Sequence, residues 1–273
     1  MASVTPTRYR WGALAWLLTL QFFVVETVVQ LQAGGYSRAD ALISELGAGT
    51  SPGHLLMNAS FVVQGLLIAT GNLLLRPALA GTAGRVAPAL LAAAGIGVLV
   101  VGVFPMDGQQ AVHEAGAGLY LVGGGLGLIA LAYAVRRRSE ALGTALALLG
   151  LVGTAMTVFF VAGITSYLGE GGTERAAAYV VPIGLAIAGA GLWRLRDRPI
   201  SGDRPTRREL REQARTARAE QARERDAALE AAARADRPRS AAGPAGPTPA
   251  RPAEPADDDF DPDDPWASTD RRG

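Results

Sequence analysis

The sequence predicts an all-α polytopic membrane bundle of six transmembrane helices, and three observations carry that prediction. Six apolar stretches between Trp11 and Leu195 are each long enough to cross a bilayer, which takes about 20 mainly apolar residues at a rise of 1.5 Å per residue. The charge is sorted along the chain: a net +1 over 273 residues and a mean hydropathy of +0.19 conceal an apolar region followed by a tail holding most of the charge. Within the apolar region the arginines concentrate in alternate loops. Helices are the form that hydrocarbon allows, because an unpaired backbone is too costly there and barrel strands would alternate in polarity.

The first span is read as Trp11–Gln30. Arg8 and Arg10 precede it as they would a signal peptide, but the run is longer than a signal's apolar core. Leu31-Gln32-Ala33 is also a poor cleavage site, so an uncleaved helix is expected. The loop Leu31–Gly53 is the longest. In it, Ser37 followed by Asp40 reads as a helix start, Leu42, Ile43 and Leu46 supply an apolar face, and Gly47 an end. This predicts a short amphipathic helix on the surface, or a lid packed over the helix ends. The remaining spans are His54–Leu75, Val86–Pro105, His113–Val135, Ala141–Gly163 and Ala176–Leu195. Gly95, Gly97, the Gly123/Gly127 pair, Gly184, Ala188, Gly189 and Gly191 are expected to let helices of one chain approach closely.

Arginine placement sets the orientation. With the N-terminus inside, the inner side holds Arg8, Arg10, Arg76, Arg85, Arg136, Arg137, Arg138, Arg194, Arg196 and Arg198, while the outer loops hold only Arg38 and Arg175. Trp11, Tyr133 and Trp193 then fall near the inner interface. Both termini are therefore expected in the cytoplasm, with residues 1–198 forming the membrane domain. Thr206 with Glu209 fits a capping box and opens a charged helix over 199–237, which could rest on anionic lipid. Residues 238–273, rich in Pro and then Asp, are expected to be disordered, with Phe260 and Trp266 among the acids as a short partner motif at most.

Composition excludes several chemistries. The chain has no cysteine, which removes disulfides, thiolate nucleophiles and Cys-ligated zinc or iron–sulfur centres. There is no phosphate loop or dinucleotide fingerprint, and no nucleic-acid partner is expected. What remains is a set of polar residues gathered toward the outer side, where polar groups near hydrocarbon are functional candidates by default. Glu26 lies late in the first span. Ser44 and Glu45 sit in the first outer loop. His54 and Asn58 are one turn apart at the start of the second span, and Asp107, His113 and Glu114 flank the next outer hairpin. Gln21 and Gln64 lie deeper and could bond between the first two spans. Glu26, Ser44, Glu45, His54, Asn58, Asp107 and His113 form the candidate pocket. Five of them (Glu45, His54, Asn58, Asp107 and His113) are expected around one opening between the second, third and fourth spans. His54, His113 and Asp107 are also enough ligands for a zinc-like site, although no local ligand spacing such as HExxH supports one. A serine hydrolase built on Ser44 lacks an elbow motif.

Three stretches carry a family resemblance: Tyr36-Ser37 with Ile43-Ser44-Glu45-Leu46-Gly47-Ala48; Pro52 followed by Asn58, Phe61 and Gly65; and Gly102-Val103-Phe104-Pro105 with Asp107 and His113. Together they resemble the bacterial multipass membrane family of unknown function DUF998, over roughly residues 10 to 195. The first two are similar, over a shorter match, to the FRAG1/DRAM/Sfk1 membrane proteins. The resemblance implies a six-helix integral protein of a bacterial plasma (inner) membrane, points to Ser44, Glu45, Asn58, Asp107 and His113, and brings no reaction with it. The expected function is binding at an outward-facing polar pocket, of a lipid headgroup, a small ligand or a membrane-protein partner. The alternatives are a membrane-embedded metal-dependent lipid hydrolase using His54 and His113, and a small transporter. No cofactor is expected, apart from zinc in the hydrolase reading.

Overall fold

The computed structural model describes residues 5–79, 81–197 and 207–235. The chain divides into two units at Pro205/Thr206. In the first, six helical stretches are long and apolar enough to cross a membrane, and the described residues contain no strand.

The first span is α1 (Pro6–Leu18) and α2 (Gln21–Gln32). Pro6 opens α1 behind Thr5, whose side chain accepts from the Arg8 N–H. The break between α1 and α2 centres on buried Thr19. Its hydroxyl donates to the Trp16 carbonyl at 2.6 Å, with the Pro182 carbonyl of the last span also in reach at 3.3 Å. The next four spans are α3 (His54–Leu75), α4 (Ala83–Val103), α5 (Gln110–Arg136) and α6 (Glu140–Val161). The sixth comprises α7 (Glu170–Ala178) and α8 (Val180–Arg194), joined through Tyr179. Pro182 lacks the N–H that would bond the Ala178 carbonyl, and the Tyr120 hydroxyl of α5 donates to that carbonyl instead, at 3.2 Å.

Each span packs on the next, and α8 returns to α1. Small residues set the seams, as expected. A Cβ on Gly123 would lie 2.8 Å from the Leu90 carbonyl oxygen, and one on Gly127 would lie 2.9 Å from Leu91 Cδ2, so this pair joins α5 to α4 within the chain. The first two spans are bridged as the sequence suggests: the Ser60 hydroxyl donates to Gln21 Oε1 at 3.0 Å, and Gln21 Nε2 reaches Gln64 Oε1 at 3.4 Å.

Two expectations are corrected. The sixth span begins at Glu170 rather than Ala176, so Arg175 belongs to a helix and is buried rather than exposed in a loop. The loop between α2 and α3 carries no amphipathic α-helix; only a single 3-10 turn, Ser44–Gly47, forms. The expected capping contact does exist, with Asp40 N–H bonded to Ser37 Oγ at 3.4 Å. However, the carbonyls that would continue a helix are drawn into tertiary bonds: Arg38 and Ala41 accept from Arg175, and Leu42 from Tyr36. The lid reading of this loop is the one that fits, because Ile43 and Leu46 are buried against the bundle.

In the second unit the described residues form α9 (Arg207–Ala235), whose described side chains are exposed, with an i,i+4 pair of Glu230 and Arg234 at 3.0 Å. Thr206 and the expected disordered stretch 238–273 lie outside the described residues.

Candidate functional site

The loops 33–53, 104–109 and 162–169 join alternate pairs of spans and so meet at one end of the bundle. Loop 33–53 closes over that end as a lid, and Arg175 is the hub that holds it. Arg175 Nε donates to Glu26 Oε1 at 2.9 Å. Its Nη1 faces the carbonyls of Arg38 and Ala41 in the lid, both at 2.8 Å, and of Gly171 at 3.0 Å. Its Nη2 donates to the Tyr36 hydroxyl, which itself donates to the Leu42 carbonyl at 2.6 Å. Glu26 Oε2 accepts from the Tyr179 hydroxyl at 2.6 Å, and exposed Arg38 stands 3.7 Å from Oε1. A buried ion pair offsets its desolvation only when the remaining donors and acceptors are also met, and here they are. Burial pushes the Tyr36 phenol up from 10 to about 12, against the pull of the Arg175 guanidinium.

The lid lies on the start of the sixth span because Gly169, Gly171 and Gly172 leave room for it there. Gly172 N–H donates to the Ala39 carbonyl at 2.9 Å. Gly169 has φ +75°, and a Cβ on Gly169 or Gly171 would collide with the carbonyls of Ala39 and Ala41. Three further anchors complete the attachment: Ile43 N–H to Glu174 Oε2 at 2.6 Å, Gly49 N–H to Asp107 Oδ2 at 2.7 Å, and Asn58 Nδ2 to the Gly47 carbonyl at 2.8 Å.

The lid separates two spaces. Against it and the 104–109 hairpin is an open groove of about 660 Å³, in the range of small-molecule sites. Glu45, Asp107, Tyr36, Ser37, Thr50 and Ser51 supply its polar wall, and no basic side chain lines it. Beneath the lid is a smaller cavity of about 50 Å³. Ser44, His113 and Glu174 meet there with the rings of Phe22, Phe61 and Phe160, and Tyr120 completes the wall.

The seven predicted residues are thus divided rather than gathered. Glu45 and Asp107 line the groove, while Ser44 and His113 line the cavity. His54 and Asn58 line neither; His54 Nδ1 donates to the Ser51 carbonyl one turn back at 2.9 Å, and Asn58 is a lid anchor. Glu26 is held inside the Arg175 network. The expectation of one opening shared by Glu45, His54, Asn58, Asp107 and His113 is therefore corrected: the lid passes between them. Nor do His54, His113 and Asp107 assemble as ligands. Each engages a different backbone group, and no three His, Asp or Glu side chains among the described residues are placed to hold a metal ion. His113 Nδ1 must donate to the Phe104 carbonyl, 2.8 Å away, so in the neutral ring Nε2 is an acceptor.

Glu174 and Arg175 escape the sequence reading because they precede the apolar run and look like loop charges. Two signals point to them: a lone acid late in the first span, which needs a cation, and the Gly169-Glu170-Gly171-Gly172 run, which leaves room for another chain segment.

The model of a family described as a protein of unknown function, DUF998, matches residues 17–193. No curated protein and no solved structure matches the chain.

Proposed function

The chain belongs to the DUF998 family, whose description assigns no activity, and from its own residues we propose a non-enzymatic membrane protein that binds a small polar ligand or lipid headgroup in the groove beside the lid. The groove faces the outside of a plasma membrane, because that orientation leaves most loop arginines in the cytoplasm. One observation carries the reading and narrows it: the polar wall of the groove holds two carboxylates and four hydroxyl-bearing residues but no basic side chain. Such a wall favours neutral polyols and cationic groups and repels anionic phosphate. Binding is preferred to metal-dependent hydrolysis because His54 and His113 bond separately to the backbone and do not face a common space.

The test compares glucosamine, glucose and glucose 6-phosphate as thermal-shift probes on the detergent-purified full chain. Glucosamine should stabilise most and glucose 6-phosphate not at all, with Asp107→Asn and Glu45→Gln removing the preference. Equal shifts for all three sugars, or the largest shift with the phosphate, would refute the reading.

A further inference from the structure

The cavity beneath the lid has an unusual inventory. Its polar groups present acceptors. His113 Nε2 and Glu174 Oε1 have no hydrogen-bond partner among the described residues, and Tyr120 has committed its proton to the Ala178 carbonyl. The Ser44 hydroxyl, also without a partner, can accept as well as donate. The His113 and Ser44 side chains are mostly covered, at 6% and 8% exposure. His113 and Glu174 make no ion pair or hydrogen bond with each other, and the cavity lies between them.

Charge adds a second requirement. A half-buried carboxylate gains from a cation beside it. Arg175, next in sequence to Glu174, directs its donors to Glu26, Tyr36 and three carbonyls and none to Glu174. The phenyl rings of Phe22, Phe61 and Phe160 share the rest of the wall with aliphatic side chains such as Ile43, Val98 and Leu121, and the Phe22 and Phe61 rings are 5.8 Å apart. Aromatic faces attract cations, and aromatic boxes recognise ammonium groups. A cavity of about 50 Å³ is well below the roughly 300–1,000 Å³ of whole-ligand sites, so it holds one small group rather than a whole ligand.

We infer that this cavity is a subsite for a primary ammonium group, held by Glu174, His113 Nε2 and the Ser44 hydroxyl against the phenyl rings. The inference rests on the groove reading only in that the amine enters from the lid side. The ammonium belongs either to a free amine or to an ethanolamine lipid headgroup.

Methylammonium chloride is the probe, measured by thermal shift on the full chain against sodium chloride at matched ionic strength. Methylammonium should raise Tm progressively with concentration, as a ligand of the folded state does, and sodium should not. Glu174→Gln keeps an oxygen for the Ile43 N–H and should abolish the shift. Ala117→Leu, which fills the cavity without altering charge, should abolish it too. Glu114→Gln, at an exposed position that lines neither space, should retain it, and the groove is read separately with the sugars, so a failed groove and a failed cavity give different results. In nanodiscs containing phosphatidylethanolamine, a lost response to methylammonium would identify the lipid headgroup as the occupant, and a retained response a free amine. The proposal is overturned if methylammonium does no more than sodium on the wild-type chain, or if either cavity variant responds as the wild type does.

Discussion

Arg175 on the sixth span and Glu26 on the first meet at 2.9 Å with side chains 6% and 1% exposed. The contact closes the bundle at its loop end and places the guanidinium where it also collects two lid carbonyls. One ion pair thereby sets both the helix packing and the position of the lid.

Breaking this pair from one side should be expensive. Arg175→Met leaves Glu26 without its main cation and the Arg38 and Ala41 carbonyls without their donor, a loss of about 3–5 kcal/mol. Glu26→Gln added to Arg175→Met should recover part of that, with a coupling of about 1–3 kcal/mol in a double-mutant cycle read from thermal or denaturant unfolding in detergent. Additive losses would show that the two residues do not act as a pair.

Glycine at 171 should not tolerate a methyl group. Gly171→Ala drives a Cβ into the Ala41 carbonyl, so either the lid or α7 must shift, at a cost of about 1–3 kcal/mol. Gly118→Ala, where nothing lies within 4 Å, serves as the control and should be near neutral. Thermal melting of the two variants decides the matter, and equal melting points would mean that the lid does not press on this helix.

The contrast between these positions marks what was legible in the sequence. The spans were readable because about 20 apolar residues in succession have one cheap arrangement in a bilayer. The Gly123/Gly127 seam and the Gln21–Gln64 bridge were readable because small and polar residues on a span must face another helix. The lid was only half readable: Ile43 and Leu46 announced an apolar face, but local capping signals around Ser37 lost to tertiary bonds from Arg175 and Tyr36. The partner of Glu26 lies 149 positions away, beyond any local pattern, and hydropathy alone counted Arg175 as a loop charge. The candidate site was divided for the same reason, since the path of the lid decides which polar residues share a space.

Alkaline pH offers a separate test of the lid. The Tyr36 phenol titrates near 10 when unfolded and at about 12 in the folded protein. The folded state therefore holds the proton longer, so stability is intact below pH 10 and falls as pH rises from 10 to about 12. With no lysine or cysteine in the chain, only tyrosines among the side chains titrate strongly in that window. Tyr36→Phe should start lower, because the Arg175 and Leu42 contacts lose the hydroxyl, and should then decline less steeply between pH 10 and 12. An unchanged slope would remove Tyr36 from the alkaline transition.

Orientation can be read directly because the chain has no native cysteine. Gln109→Cys, exposed on the α4–α5 hairpin, should react with a membrane-impermeant maleimide added outside intact cells, whereas Arg137→Cys should react only after lysis. The reverse pattern would invert the topology and turn the groove toward the cytoplasm.

The measurement that bears most directly on the account is a disulfide across the lid. A Cβ on Gly172 would lie 3.9 Å from Ala39 Cα, within reach of a disulfide between the two positions. Ala39→Cys combined with Gly172→Cys should cross-link on oxidation in native membranes, give a mobility shift that reductant reverses, and block stabilisation by methylammonium until reduced. A double variant that never cross-links, or one that cross-links fully and still responds to methylammonium as the wild type does, would contradict a lid docked on the sixth span and closing the site beneath it.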